Sequence, residues 1–182
     1  MDEERRIPEA FAEWFDAHRS AVYRFVRFRV ATREAAEDVT SEVFLKALRS
    51  LDRFDERRAS PRTWLMRIAR NAVTDHLRRL RRRGSLHVSL DRVPDLVADV
   101  PSPDERLLRE ERIQALLNAS ARLGKRDQEV LALRYGSGLE NPEIAEALGI
   151  SPNAAAVRLH RALARLRAEL DEHTTGPRPQ GS

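Results

Sequence analysis

Apolar residues recur at helical spacing along most of the chain, and that rhythm predicts its elements. Over residues 9–30, Phe11, Trp14, Phe15, Val22, Phe25, Val26 and Val30 form one stripe, with His18 filling its polar gap. After a break at Ala31 and Thr32, residues 33–51 read as a second helix with Ala36, Val39, Val43, Ala47 and Leu51 inward. Residues 52–61 are polar and without period, a predicted loop. Pro61 and Arg62 then open a third helix. Its inner face carries Leu65, Ile68, Ala69, Ala72, Val73, His76, Leu77 and Leu80. Its other side carries Arg67, Arg70, Asn71, Thr74, Asp75, Arg78 and Arg81.

The rhythm stops over residues 84–104, where Pro94, Pro101 and Pro103 interrupt any helix and the apolar residues scatter. It resumes over 105–123, with Leu107, Leu108, Ile113, Leu116 and Leu117 inward, and again over 126–135, with Val130, Leu131 and Leu133. Gly136 and Gly138 punctuate the following turn. Residues 141–148 and 151–170 then predict a short and a long helix, and 171–182 a disordered tail.

The segment 141–167 has helix-turn-helix grammar. Asn141 is the expected cap of the first helix, with Pro142 at its first position. Gly149 suits the left-handed turn. Ser151 and Pro152 repeat the cap-then-proline start for the second helix. Ile144, Ala145 and Leu148 face Ala155, Leu159, Ala162, Leu163 and Leu166. Asn153, Ala154, Val157, Arg158 and Arg161 are left on the open side, where the second helix of such a unit meets the major groove. Asn153 can pair with a base edge, Arg158 or Arg161 with guanine or phosphate, and Ala154 and Val157 can touch only thymine methyls or backbone.

Charge sharpens this picture. The net charge is only +4, but residues 62–83 hold eight arginines against the single acid Asp75, and residues 84–105 hold five acids against the single Arg92. A basic face followed by an acidic tether suits a polyanion-binding protein. All cationic residues except Lys46 and Lys125 are arginines, which favour bidentate phosphate and base contacts. With no cysteine, thiol catalysis and thiolate metal sites are excluded. The five histidines are scattered, so no catalytic residue, metal site or cofactor is expected. No apolar run approaches membrane-spanning length and no signal peptide opens the chain, so a cytoplasmic protein without membrane insertion is expected. The expected fold is all-α: two small helical domains, the second a helix-turn-helix domain, joined by a flexible acidic linker.

The runs AAEDVTSEVFLKALRSLDRFD and PRTWLMRIARNAVTDHLRRLRRR resemble the second conserved domain of bacterial RNA polymerase sigma factors. The run RDQEVLALRYGSGLENPEIAEALGISPNAAAVRLHRALARLR resembles their fourth. Their order and the acidic segment between them are similar to the extracytoplasmic-function group, which keeps just these two domains. On that resemblance, residues 8–83 are domain 2, 84–104 the linker, 105–170 domain 4 and 171–182 the tail.

The resemblance implies further roles. Asp38, Glu42, Phe44 and Leu45 fall on the motif that docks on the clamp helices of the polymerase's largest subunit, with Ser41 where glutamine is common. Trp64, Arg67, Arg70, Asn71, Asp75, Arg78 and Arg79 fall on the helix that reads the −10 promoter element. Asn71 matches the position lining a pocket for a flipped base, with residues 54–61 as its other wall. Asn153, Ala154, Val157, Arg158 and Arg161 fall on the −35 recognition helix. Ala156 and Val157 replace the usual basic residue and serine, removing polar contacts. The implied partners are core RNA polymerase (clamp helices and flap region), promoter DNA and an anti-sigma factor. Within the polymerase the linker would thread near the active centre. A stand-alone repressor or activator is the alternative; it requires palindromic sites, a dimer interface and tight DNA binding without polymerase.

Overall fold

A computed structural model describes residues 3–84 and 103–174, with the side chains of 11–84 and 111–171. It is helical throughout, with no strand among the described residues. The helices are α1 (Glu3–Arg29), α2 (Arg33–Arg49), α3 (Pro61–Arg82), α4 (Pro103–Arg122), α5 (Lys125–Leu131), α6 (Asn141–Leu148) and α7 (Pro152–Thr174). A 3₁₀ turn, Leu51–Arg53, follows α2, and a π turn, Ala132–Gly136, follows α5.

Local chemistry sets most of the helix starts. The Thr32 side chain accepts from Ala35 N at 3.2 Å to begin α2. Ser60 accepts from Thr63 N at 3.1 Å ahead of Pro61 to begin α3. Ser151 accepts from Ala154 N at 3.2 Å to begin α7. Each satisfies a backbone donor that the first turn leaves orphaned. Gly149, at φ 66°, ends α6 in the left-handed conformation that glycine adopts without steric cost.

Several boundaries differ from the sequence pattern. Helix α1 begins at Glu3, not residue 9; residues 3–8 carry no apolar stripe to announce it, and Pro8 argues against it locally. Pro103 opens α4 instead of interrupting it, since a first-position proline lacks only an amide that has no helical partner. Glu140, not Asn141, caps α6: Glu140 and Glu143 form a reciprocal capping box. Asn141 becomes the first helical residue, and its Oδ1 is buried without a hydrogen-bond partner. Helix α7 continues to Thr174, past the expected tail start. Leu116, expected inward, is 36% exposed. The acidic segment falls largely on 85–102, outside the described residues, as does 175–182.

Val22, Phe25 and Val26 of α1, Val39 and Val43 of α2, and Leu65, Ala69 and Val73 of α3 form the core of the N-terminal unit. Val130, Leu131, Leu133, Leu139, Ile144, Ala155 and Ala162 form that of the C-terminal unit. Each fully buried large aliphatic side chain contributes ~1.5–3 kcal/mol. The two cores meet in one continuous cluster, because α1 packs against the π turn and α3 against α6.

The seam between the units depends on Gly136. A Cβ there would lie 3.1 Å from Phe25 Cα and 3.2 Å from the Arg24 carbonyl, so only glycine lets the two backbones approach this closely. Arg24 Nε donates to Gly136 O at 3.0 Å. Arg62 Nη2 donates to the carbonyls of Ser137 at 2.6 Å and Gly138 at 2.8 Å, and its Nη1 lies 3.4 Å from Glu143.

Candidate nucleic-acid interface

The loop after α2 folds back over α3, and a groove of about 530 Å³ lies between them. Phe54, Arg53 and Arg58 form one wall; Trp64, Arg67 and Asn71 form the other. Asp55 accepts from Arg57 N at 3.0 Å and fixes the loop's turn. Trp14, Phe54 and Trp64 pack edge to face and tilted, with Phe54 centred 4.7 Å from Trp14 and 5.0 Å from Trp64. Trp64 is therefore half-buried: it braces the groove and presents its remaining surface to it. Arg67 and Asn71, one turn apart, are exposed. The arrangement offers an amide for a base edge, an aromatic wall and three guanidinium groups for a strand's phosphates. Sequence reasoning identified the α3 residues and the loop wall but not Arg53 or Arg58; their only signal was arginine in an aperiodic loop.

The rest of the expected −10 set divides. Asp75 and Arg78 pair with each other at 3.1 Å on the exposed side of α3. Arg79 leaves the groove and meets Glu42 of α2 at 3.0 Å. Arg70 points away from Arg67 and Asn71, across the seam: its Nε donates to Glu129 of α5 at 2.9 Å, and its Nη1 donates to the Ala147 carbonyl.

On α2, Asp38 and Leu45 are exposed, Leu45 by 53%, whereas Phe44 is only 4% exposed. Phe44 packs against the rings of Phe15 at 4.7 Å and Phe11 at 6.3 Å. It is a core residue, so it does not join the surface set expected of it. Leu48, 45% exposed and one turn beyond Leu45, extends the apolar surface instead. Glu42 accepts from Lys46 at 2.7 Å as well as from Arg79, and these bonds hold its carboxyl below the usual pKa despite partial burial. His76 is pushed below its usual pKa by burial and then by Arg79.

In the C-terminal unit, Asn153, Ala154, Val157 and Arg161 are exposed on α7, and Arg158 is half-buried. Ala154, Val157, Arg158 and Arg161 line a groove of about 670 Å³ completed by Lys125 and Arg126 of α5. Arg165 also faces it and meets the buried Asp127 at 2.6 Å, tying α7 to α5. Lys125, Arg126 and Arg165 were not singled out in the sequence because they lie outside the helix-turn-helix open face. The Ala156 side chain is half-buried.

No helix among the described residues is long and apolar enough to cross a membrane.

Two family models match the chain: Sigma-70 region 2 over residues 14–83, and Sigma-70, region 4 over residues 113–166. The chain is 36% identical over 155 residues to the ECF RNA polymerase sigma factor BldN of Streptomyces coelicolor, covering 85% of this chain and 58% of that protein's length. It is 34% identical over 137 residues to the ECF RNA polymerase sigma factor ShbA of Streptomyces griseus, covering 75% of this chain and 72% of ShbA. The fold matches the structure of CnrH in complex with the cytosolic domain of CnrY at a TM-score of 0.67 and 28% identity, over 91% of this chain and 90% of CnrH. The chain belongs to the extracytoplasmic-function family of RNA polymerase sigma factors.

Proposed function

We infer that the chain directs core RNA polymerase to promoters, capturing the melted −10 strand in the α3 groove and reading duplex −35 DNA with α7. The observation that carries this reading is the groove in which Trp64, Arg67 and Asn71 face Phe54, Arg53 and Arg58. It combines edge recognition, an aromatic wall and backbone neutralisation. The second basic groove, beneath the exposed N-terminal half of α7, suits phosphates flanking a major-groove helix. Residues 8–83 form the first working domain, 84–104 the tether and 105–170 the second. Asp38, Glu42 and Leu45 dock on the clamp helices, and the second domain on the flap region. The protein acts in the cytoplasm by binding, without catalysing a reaction of its own.

Arg70 belongs to the −10 set by resemblance but is engaged by Glu129 and Ala147. Separation of the two units on the polymerase frees it for the strand. An anti-sigma partner acts by opposing that separation; the similar fold of CnrH is solved with a bound second protein.

The test is reconstitution with core polymerase followed by transcription from a genomic DNA library. Promoter-specific transcripts that require this protein support the reading. Absence of core binding together with tight DNA binding by the protein alone replaces it with a stand-alone regulator.

A further inference from the structure

A third cationic cleft, of about 270 Å³, lies on the seam and shares Lys125 and Arg126 with the groove beneath α7. Arg29 of α1 forms its floor; Arg78 and Arg81 of α3 form one side; Lys125 and Arg126 of α5 form the other, beside Glu129. The cleft therefore exists only where the two units meet.

Its charge is unbalanced. Glu129 already accepts from Arg70 at 2.9 Å, and Arg78 has Asp75 at 3.1 Å. Arg81, Lys125 and Arg126 form no ion pair among the described residues. Arg29 is only 8% exposed, and its Nε is buried with no hydrogen-bond partner. The carboxylate that acts on its charge is Glu129, which is already bonded to Arg70. Burial depresses its pKa, Glu129 partly restores it, and Arg70 lowers it again. One carboxylate thus serves both Arg70 and the buried Arg29 beside a cleft walled by further cations.

We propose that this cleft binds a diphosphate group, with Arg29 beneath it and cations of both units around it. A carboxylate would supply one charge, whereas adjacent phosphates supply several acceptors in the geometry that arginines match bidentately. The volume lies below the roughly 300–1,000 Å³ of sites for drug-sized ligands, which suits a compact anion or the diphosphate end of a nucleotide. Because each unit supplies only part of the lining, the bound group stabilises the packed arrangement over the separated one. It also occupies Arg78, which the sequence resemblance places on the −10 helix.

Isothermal titration of the full chain with sodium pyrophosphate tests this without polymerase or promoter, so its outcome is independent of the proposed function. One saturable site per chain is expected. Arg78→Ala/Arg81→Ala and Lys125→Ala/Arg126→Ala should each weaken it by at least about tenfold, the loss of one or more charge-assisted bonds. Arg158→Ala/Arg161→Ala, in the other basic groove, should leave it unchanged. Unchanged helical circular dichroism verifies the folding of all three. Absence of saturable binding, dependence on only one of the two cleft pairs, or equal weakening in the Arg158/Arg161 variant overturns the site. Titration with adenosine diphosphate separates the sources: equal affinity assigns a free diphosphate, tighter binding a nucleoside-borne one.

Discussion

Arg70 of α3 and Glu129 of α5 meet at 2.9 Å across the seam between the two units. Both side chains are largely buried, at 24% and 16% exposure, so the pair is more than a solvated surface contact. Arg70 is also a residue that the −10 reading places beside Arg67 and Asn71. The same contact therefore engages a cation that the −10 reading assigns to DNA.

Glu129→Gln removes the charge from this contact and from the vicinity of Arg29. The expected cost is about 1–3 kcal/mol of seam stability, that of weakening a charge-assisted bond in a partly buried site. Small-angle scattering should show a larger radius of gyration, and hydrogen exchange should rise along the α3–α6 contact. An unchanged radius would show that the pair does not hold the units together.

Gly136→Leu tests the seam sterically. A Cβ there already meets Phe25 Cα at 3.1 Å, and both neighbours are backbone that cannot rotate away. The units should part while each keeps its helices, giving an expanded chain with nearly unchanged far-ultraviolet circular dichroism. Global loss of helix would show that the two units do not stand apart.

Glu42→Arg places a third cation beside Lys46 and Arg79. The expected loss of stability is modest, below about 1 kcal/mol for partly exposed ion pairs. Core polymerase binding should fall far more, by about 2 kcal/mol or more for a charge reversed at a docking surface. Calorimetric unfolding and affinity measurement on the same variant separate the two effects. Normal core affinity would remove Glu42 from the docking surface.

Acidification should destabilise the fold from near neutrality. His18 is pushed below the usual histidine value of 6.5 by burial and then by Arg62, and His76 by burial and then by Arg79. As pH falls below 6.5 the unfolded chain takes up protons that the folded chain refuses, so stability declines with falling pH. Glu42 acts in a lower window: its carboxyl is held below 4.5, so its contribution persists above that value and is lost as pH falls through the depressed pKa. Melting temperature measured from about pH 8 to about pH 5 should drop, and His18→Gln should reduce the slope. Equal slopes for the two proteins would show that His18 does not carry the effect.

The sequence made visible what is local. Ser60 before Pro61, Gly149 after Leu148 and Ser151 before Pro152 announce helix ends through chemistry contained within a few residues. The α6 cap was missed because Asn141 and Glu140 are adjacent candidates, and only the reciprocal bond to Glu143 distinguishes them. Phe44 and Leu45 are consecutive apolar residues at the edge of a stripe; the rings of Phe11 and Phe15 draw only Phe44 inward. The seam was illegible for a different reason. Arg62 reaches carbonyls 75 and 76 residues away, and a carbonyl acceptor carries no side-chain signature. The division of the α3 arginines followed from that seam: Arg67 stays with Asn71 at the groove, while Arg70, one residue before Asn71, turns to the other unit.

The most direct measurement is permanganate reactivity of promoter thymines opened by core polymerase reconstituted with the wild-type chain or with Asn71→Ala. Equal core binding by the two proteins, with strand opening around the −10 element lost or much reduced in Asn71→Ala, is the expected result. Equal opening by both would contradict capture of the melted strand in the α3 groove.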